Sequence, residues 1–426
     1  MDYCVSVFGA DPSGQKLSTT AIQEAIDACA AAGGGRVVVP AGHYLIGTLW
    51  LRSWVELHLA HGAVLQASSS LADYNDEDAY PQNFHSDAEE WNGKHLIIAH
   101  ECEQIAITGS GVIDGSGPVF YAPPIPWNAY CWREGLALAK DKKALRPGQM
   151  LAIIACNHVT IRDVTLQNAT CWNCFLHGCS FVQVRGIKVY NPRVAANTDG
   201  IDIDTCRFVT VSDCIIDTGD DAIALRCDGE RLSHCDSVCE YVTITNCVLS
   251  SSSSVFRIGV GSGTVRHVRV SNITIGRGAV GMMFMGYWTY GKFSHLHDIH
   301  FSDVSAADLA HPLQIHGGAG ATFSRISVTN YTAEAGAMTS ICANEAGWMR
   351  DIRLQNIHVT LRDNPEASTE RDFEDRGGFF FYAENAEGLV LENVQIDCRD
   401  VDDTKWRDRQ LICNCPRLQG DITFYP

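Results

Sequence analysis

A short pattern recurs along the chain: apolar, any, apolar, any, then Asn, Asp or Gly, then apolar. It starts at Val159, Val182, Val209, Val242, Val268, Ile299, Ile326, Ile352 and Leu389, with a looser copy at Ile105. The nine close copies begin 23, 27, 33, 26, 31, 27, 26 and 37 residues apart. Each sets two short alternating strands around one polar residue, such as Asp163, Gly186, Asn246 or Asn356. Alternation turns one face inward. Asn, Asp and Gly accept the left-handed backbone that a sharp bend needs. One such unit cannot bury its apolar face, whereas stacked units can. β-Branched repeats of this length, with no helices between them, imply an all-β fold. The expected form is a single-stranded parallel β-helix (a solenoid) rather than a leucine-rich horseshoe. Variable spacing means that loops of different length leave the coil at its turns, where a binding groove would be built.

The whole chain, 1–426, reads as one such domain, with 1–40 as an N-terminal cap and first coil. Ser18 and Thr19 are candidate N-caps of a helix from Thr20 to Ala32. That helix sets Ile22, Ala25, Ile26 and Cys29 on one face and ends at Gly33, Gly34 and Gly35. A helix here would cover strand edges that otherwise stay open. Two segments are too long for plain turns. Residues 117–147 are rich in Pro, Trp and Arg, and 361–377 are mostly charged.

Asp plus Glu number 50 against 32 Lys plus Arg, a net charge of −18. A surface that negative repels phosphate backbones and anionic lipid, so neither nucleic acid nor membrane is an expected partner. No apolar run approaches the roughly 18 residues of a membrane span. Met1 to Ala10 lacks a basic stretch followed by an apolar one, and the 18 Cys are irregularly spaced. Both features lead to an expected cytoplasmic setting with reduced thiols. Cys171 and Cys174 form a CxxC without a second pair, so they read as core thiols and not as a metal or redox site.

Carboxylates cluster in one place. Asn197-Thr-Asp199-Gly-Ile-Asp202-Ile-Asp204 is followed by Asp217-Thr-Gly-Asp220-Asp221. Asp199 and Asp220 are 21 residues apart, close to one coil, and stacked strands lie about 4.8 Å apart. The two should therefore sit nearly above one another, with Asp221 as a third. Crowded like charges raise at least one pKa. A glycosidase uses that arrangement: a protonated carboxyl protonates the leaving oxygen and an ionised one activates water. Turn chemistry alone accounts for Asp204 and Asp217, but poorly for adjacent Asp220 and Asp221 one coil from Asp199.

At these residues the chain resembles the polygalacturonase family of glycoside hydrolases. The matching pieces are Phe8-Gly-Ala-Asp11, Gly33 to Pro40, Gly109 to Gly117, Asn197-Thr-Asp-Gly200 and Gly219-Asp-Asp221. Arg146 and Trp172 also sit where that family often has such residues. The resemblance implies a right-handed parallel β-helix that hydrolyses pectin with inversion. By that resemblance Asp220 is the general acid, Asp199 and Asp221 hold and activate the water, and Asn197 braces the loop. No cofactor and no metal is implied, and the partner is an oligo- or polysaccharide.

The departures from the family are local. A usual Gly-His-Gly is replaced by Ser250 to Gly259, with no His. A usual Arg-Ile-Lys that grips a uronate carboxylate is replaced around Met283 and Met285. A carboxylate normally needs an Arg fork or a Lys. Methionines present an apolar surface instead, so a neutral or deoxy sugar is expected at that subsite. Arg226 and Arg257 could restore positive charge, but are expected on different walls. Tyr287, Trp288 and Tyr290 are either sugar platforms or ordinary packing. His316 either replaces the absent His as proton partner or hydroxyl ligand, or is a satisfied turn histidine. Three functions stay open. The first is an inverting hydrolase of pectin-related or other plant oligosaccharides. The second is a transglycosylase, lyase or epimerase on the same scaffold. The third is a non-catalytic polysaccharide-binding β-helix.

Overall fold

In a computed structural model of the chain the apolar repeats stack in register. The structure describes residues 1–76, 79–81, 93–120, 146–288, 292–318, 320–337, 339–362, 378–402 and 406–426. The two long segments expected at 117–147 and 361–377 fall mostly outside them.

The first apolar position of each repeat pairs with that of the next. Val159 faces Val182, then Val209, Val242, Val268, Ile299, Ile326 and Ile352 follow, every pairing parallel. Leu354 continues onto Leu391 in the last copy, and Ile105 precedes Val159. The side chains of this column are buried and form one continuous core down the coil. Slipping a strand by one residue would turn that apolar set outward, so burial itself holds the register.

The bend residues behave as their types require. Asp163, Gly186, Asp213, Asn246, Asn272, Asp303, Asn330, Asn356 and Asn393 have φ between 52° and 66°. Their side chains add a ladder. Asn272 Nδ2 donates to Asn246 Oδ1 at 2.8 Å, Asn356 to Asn330 at 3.0 Å and Asn393 to Asn356 at 3.0 Å. A second left-handed column starts the same strands and carries a stack of rings: His158, Phe181, Phe208, Tyr241 and His267, with centroids 4.9–5.2 Å apart.

The cap helix runs Thr19–Ala31 and buries Ile22, Ala25, Ile26 and Cys29 against the first coils. Gln23 hydrogen-bonds both ways with the backbone of Trp50, so the helix also covers a strand edge. Ser18 occupies the N-cap, but its hydroxyl accepts from Asp11 N at 2.9 Å instead of capping the helix. Thr19 Oγ1 is likewise taken by Gly47 N. Gly34 ends the helix at φ 105°, where a Cβ would lie 2.5 Å from the Trp54 carbonyl. None of the seventeen described cysteines forms a disulfide with another described cysteine. No helix is long and apolar enough to cross a membrane among the described residues.

Candidate active site

One lane of the coil carries the site. Its strands Cys174–His177, Ile201–Asp204, Ile223–Cys227 and Ser254–Gly261 pair in parallel, each below the last. Inward positions such as Ile201, Ile203, Ile223, Leu225, Phe256 and Ile258 join the core. Their alternates therefore face outward: Phe175 and His177, Asp202 and Asp204, Ala224 and Arg226, and Arg257.

Asp199 enters this lane from one turn, and Asp220 with Asp221 enters from the next. Ile201 pairs with Ile223, an offset of 22, one more than the 21 residues between Asp199 and Asp220. The backbone bond from Gly200 N to Asp221 O at 2.9 Å marks the same offset. The three still converge, with one oxygen of each within 4.8 Å of the others. Among the described residues this trio is close enough together to hold a cation.

The turns are built to hold the carboxylates. Gly219 lies so close to the preceding coil that a Cβ would sit 2.3 Å from the Ala195 carbonyl and 2.8 Å from Thr198 Oγ1. Thr198 Oγ1 donates to Ala195 O and accepts from Gly219 N. Thr218 and Ser251 both donate to the Asp220 carbonyl, at 2.6 and 2.7 Å. The Asp220 carboxylate accepts backbone N–H groups from Asn197 at 3.3 Å and Asp221 at 3.0 Å. Asp221 Oδ1 accepts from Ser254 N at 3.0 Å. The serine run that replaces the expected His thus holds the acidic pair through its backbone and hydroxyls.

Asp199 is treated differently. It is 4% exposed, and its Oδ1 is buried with no hydrogen-bond partner among the described residues. Burial drives its pKa well above the carboxylate range. Asp202, Asp220 and Asp221 add to the rise and Arg226 opposes it. Asp202 is fully buried beside it and was not among the expected site residues. Asp204, expected as a turn residue, accepts from Asp228 N at the following turn, yet it is also buried, and desolvation raises its pKa.

Several expected substrate contacts turn out to be supports. Arg146 is 1% exposed. It donates to Asn197 Oδ1 at 2.8 Å, to Thr170 O at 2.8 Å and to Ala196 O at 3.0 Å. It therefore fixes Asn197, a left-handed residue at φ 52°, and through it the Asp220 carboxylate. Trp172 is 1% exposed and lies beneath Arg226, whose guanidinium carbon is 4.2 Å from the ring centroid. Arg226 approaches Asp202 at 3.6 Å and Asp204 at 3.9 Å.

Arg226 and Arg257 share one wall. Ala224 pairs with Arg257, and Arg226 follows Ala224 on the same face. The separation expected between them fails because the two strands are direct neighbours. Arg257 Nη1 contacts Met283 Sδ, and Nη2 lies 3.3 Å from Met285 Sδ. Met283 and Met285 are buried with Val280, and Tyr287 packs on them. The ring of Tyr287 also lies where a Cβ on Gly318 would be, 2.2 Å away. Trp288 pairs through its backbone in the short hairpin with Lys292–Phe293; Tyr290 lies outside the described residues.

His316 is buried, and its Nε2 meets Ser340 Oγ at 2.7 Å. The pairings Ile223–Phe256, Phe256–Met282 and Met282–Leu313 set it three rungs and about five residues from Asp221. That is roughly 20 Å at strand spacing and rise. It therefore does not stand in for the missing proton partner.

Residues 29–345 match the family described as Glycosyl hydrolases family 28. A probable polygalacturonase of Vitis vinifera is 30% identical over 224 residues, covering 51% of this chain and 43% of that protein. An exo-poly-alpha-D-galacturonosidase of Dickeya chrysanthemi is 29% identical over 260 residues, covering 51% and 41%. The matched part of the chain thus spans less than half the length of either relative. A family 28 exopolygalacturonase of Yersinia enterocolitica superposes with TM-score 0.71 at 19% identity, over all of this chain and 78% of that one. An exopolygalacturonase of Thermotoga maritima gives 0.62 at 20% identity, over 85% and 88%. The coil shares the right-handed parallel β-helix of these structures. With the family matched across most of its length and the acidic trio assembled at one groove wall, the chain belongs to glycosyl hydrolases family 28.

Proposed function

We propose that this protein is a polygalacturonase-like hydrolase that cleaves O-glycosidic bonds of a pectin-related oligo- or polysaccharide with inversion. The observation that carries this reading is the convergence of Asp199, Asp220 and Asp221 within 4.8 Å. In the reaction Asp220 protonates the leaving oxygen, while Asp199 and Asp221 hold and deprotonate the water. Two carboxylates this close, taken alone, would suit a retaining pair, because inverting pairs usually stand about 6.5–9.5 Å apart. Here a third carboxylate lets two grip the water while the other reaches the leaving group. The polygalacturonase names of the relatives support the substrate class.

At the neighbouring subsite we propose a neutral or deoxy sugar. The Arg and Lys of the family pattern are absent, and Met283, Met285, Val280 and Tyr287 form an apolar cluster there. A second reading rests on one observation: the Arg257 guanidinium lies over both methionine sulfurs, on the wall of Arg226. Those two charges would hold a uronate instead. The test is a reducing-end and product-size assay on polygalacturonate, rhamnogalacturonan fragments and neutral plant oligosaccharides. Turnover confined to neutral or rhamnose-containing substrates supports the first subsite reading. Turnover of polygalacturonate supports the second, and release of no reducing ends from any substrate counts against hydrolysis. We further propose a reducing, cytoplasmic setting, on the strength of the buried thiols at Cys102, Cys156, Cys179 and Cys206.

A further inference from the structure

Three carboxylates meet in this site, but the protein treats them unequally. Asp220 accepts two backbone N–H groups and Asp221 accepts one. Such bonds favour the ionised form. Asp199 has a buried oxygen with no hydrogen-bond partner among the described residues. Asn173 on the preceding coil directs both its backbone N–H and its side-chain Nδ2 to the Asp199 carbonyl, each at 2.8 Å, and not to the carboxylate. The charged groups facing Asp199 are mostly acidic. Asp202 stands on the strand that follows it, Asp220 and Asp221 on the next turn, and Arg226 on the strand below opposes them. Arg226 is itself drawn toward Asp202, Asp204 and the Trp172 ring.

We propose that in the resting enzyme Asp199, and not the general acid Asp220, carries the proton of the trio. This rests on the hydrolase reading above and deepens it. On substrate entry the Asp199 O–H bond breaks and an O–H bond forms on Asp220, directly or through one water, since the oxygens lie within 4.8 Å. That single transfer does two things. It arms Asp220 to protonate the leaving oxygen, and it leaves Asp199 ionised beside Asp221 to accept the proton of the attacking water. As the C–O bond breaks, its electron pair goes to the leaving oxygen, which takes the Asp220 proton. The water oxygen bonds to the anomeric carbon, and its proton returns to Asp199. The trio ends with its starting proton count and no co-reactant is consumed.

The experiment is infrared difference spectroscopy of the whole protein without substrate, titrated across mildly acidic to neutral pH. The carbonyl stretch of a neutral carboxylic acid should persist well above the usual carboxylate range in the wild type. The component removed by Asp199→Asn should be the one that persists, it should be kept in Asp220→Asn, and Asp204→Asn identifies any share of the band that belongs to buried Asp204. A band undiminished by Asp199→Asn, loss of the Asp199 component in Asp220→Asn, or absence of the band from the wild type each overturns the proposal. If Asp199→Asn does not fold, the Asp220→Asn spectrum decides alone. Because no turnover is needed, the result stands apart from whether the hydrolase reading is right. As a kinetic companion, any residual activity of Asp199→Asn should lose its basic limb at lower pH than the wild type, because the proton must then rest on a carboxylate whose ionised form is hydrogen-bonded. An unmoved limb counts against the relay.

Discussion

A glycine turn and hydroxyl bonds from Thr218 and Ser251 to its carbonyl hold Asp220, and none of them depends on its charge. Asp220→Asn should therefore keep the fold and substrate affinity within a few-fold, while turnover falls by about 10²–10⁴ as expected for loss of a general acid. Separate measurement of kcat and substrate Kd checks this, and retained turnover would remove Asp220 from the role. Asp199 supplies a pH prediction. Its folded pKa is raised, so between the unfolded and folded values the native state binds one proton more than the unfolded chain, and stability falls as pH rises through that window. Asp199→Asn should flatten this part of the curve of Tm against pH; an unchanged slope would assign it to other groups. The acidic trio was legible from its spacing because Asp-Asp adjacency is hard to explain as turn chemistry. Asp202 was not, since a lone Asp in an alternating strand gives no local signal. Arg146 and Trp172 were found as residues but not as supports, because their partners lie 24 to 54 positions away in sequence.

Each repeat is an element whose bend residue does conformational and hydrogen-bonding work together. Asn356 sits at φ 53° and bonds to both neighbours in the Asn ladder. Asn356→Val should destabilise the protein by about 1–2 kcal/mol from backbone strain, with lost side-chain bonds adding roughly 1 kcal/mol. Asn356→Gly, which removes the strain but not the lost bonds, should cost less. Urea unfolding of the two variants checks the order; equal losses would mean that the ladder and not the backbone sets the preference. The repeat was readable because a left-handed position admits few residue types and recurs once per coil. The 22-residue offset between the two strands was not, because it depends on how the chain packs through the Gly219 turn. The shared wall of Arg226 and Arg257 was hidden for a similar reason: Asp228 to Ser253 intervenes in sequence, while the strands on either side pair directly.

Across the whole molecule, the stacked core runs from the cap helix to the last coils without a break. Most of the described cysteines lie inside that stack, where burial raises the thiol pKa of Cys174, Cys179 and Cys239. A reducing agent should leave Tm unchanged; a large drop would reveal disulfides on which stability depends. The solenoid form was the most legible feature of the sequence, since periodicity survives large changes in loop length. The subsite chemistry was the least legible. Met285→Lys should raise affinity for an oligouronide if a charge at that rung faces the groove, and binding titration reads it directly; no gain would show that Arg257 and Tyr287 keep the position closed. The central claim is that three carboxylates on one coil wall hydrolyse a glycosidic bond by direct attack of water. The measurement that tests it most directly is the anomeric configuration of the first product released from a cleaved oligosaccharide, followed by proton NMR before mutarotation. The account predicts inversion, absent in Asp220→Asn. Retention of configuration would mean that one of the closely spaced carboxylates acts as a nucleophile, and would contradict it.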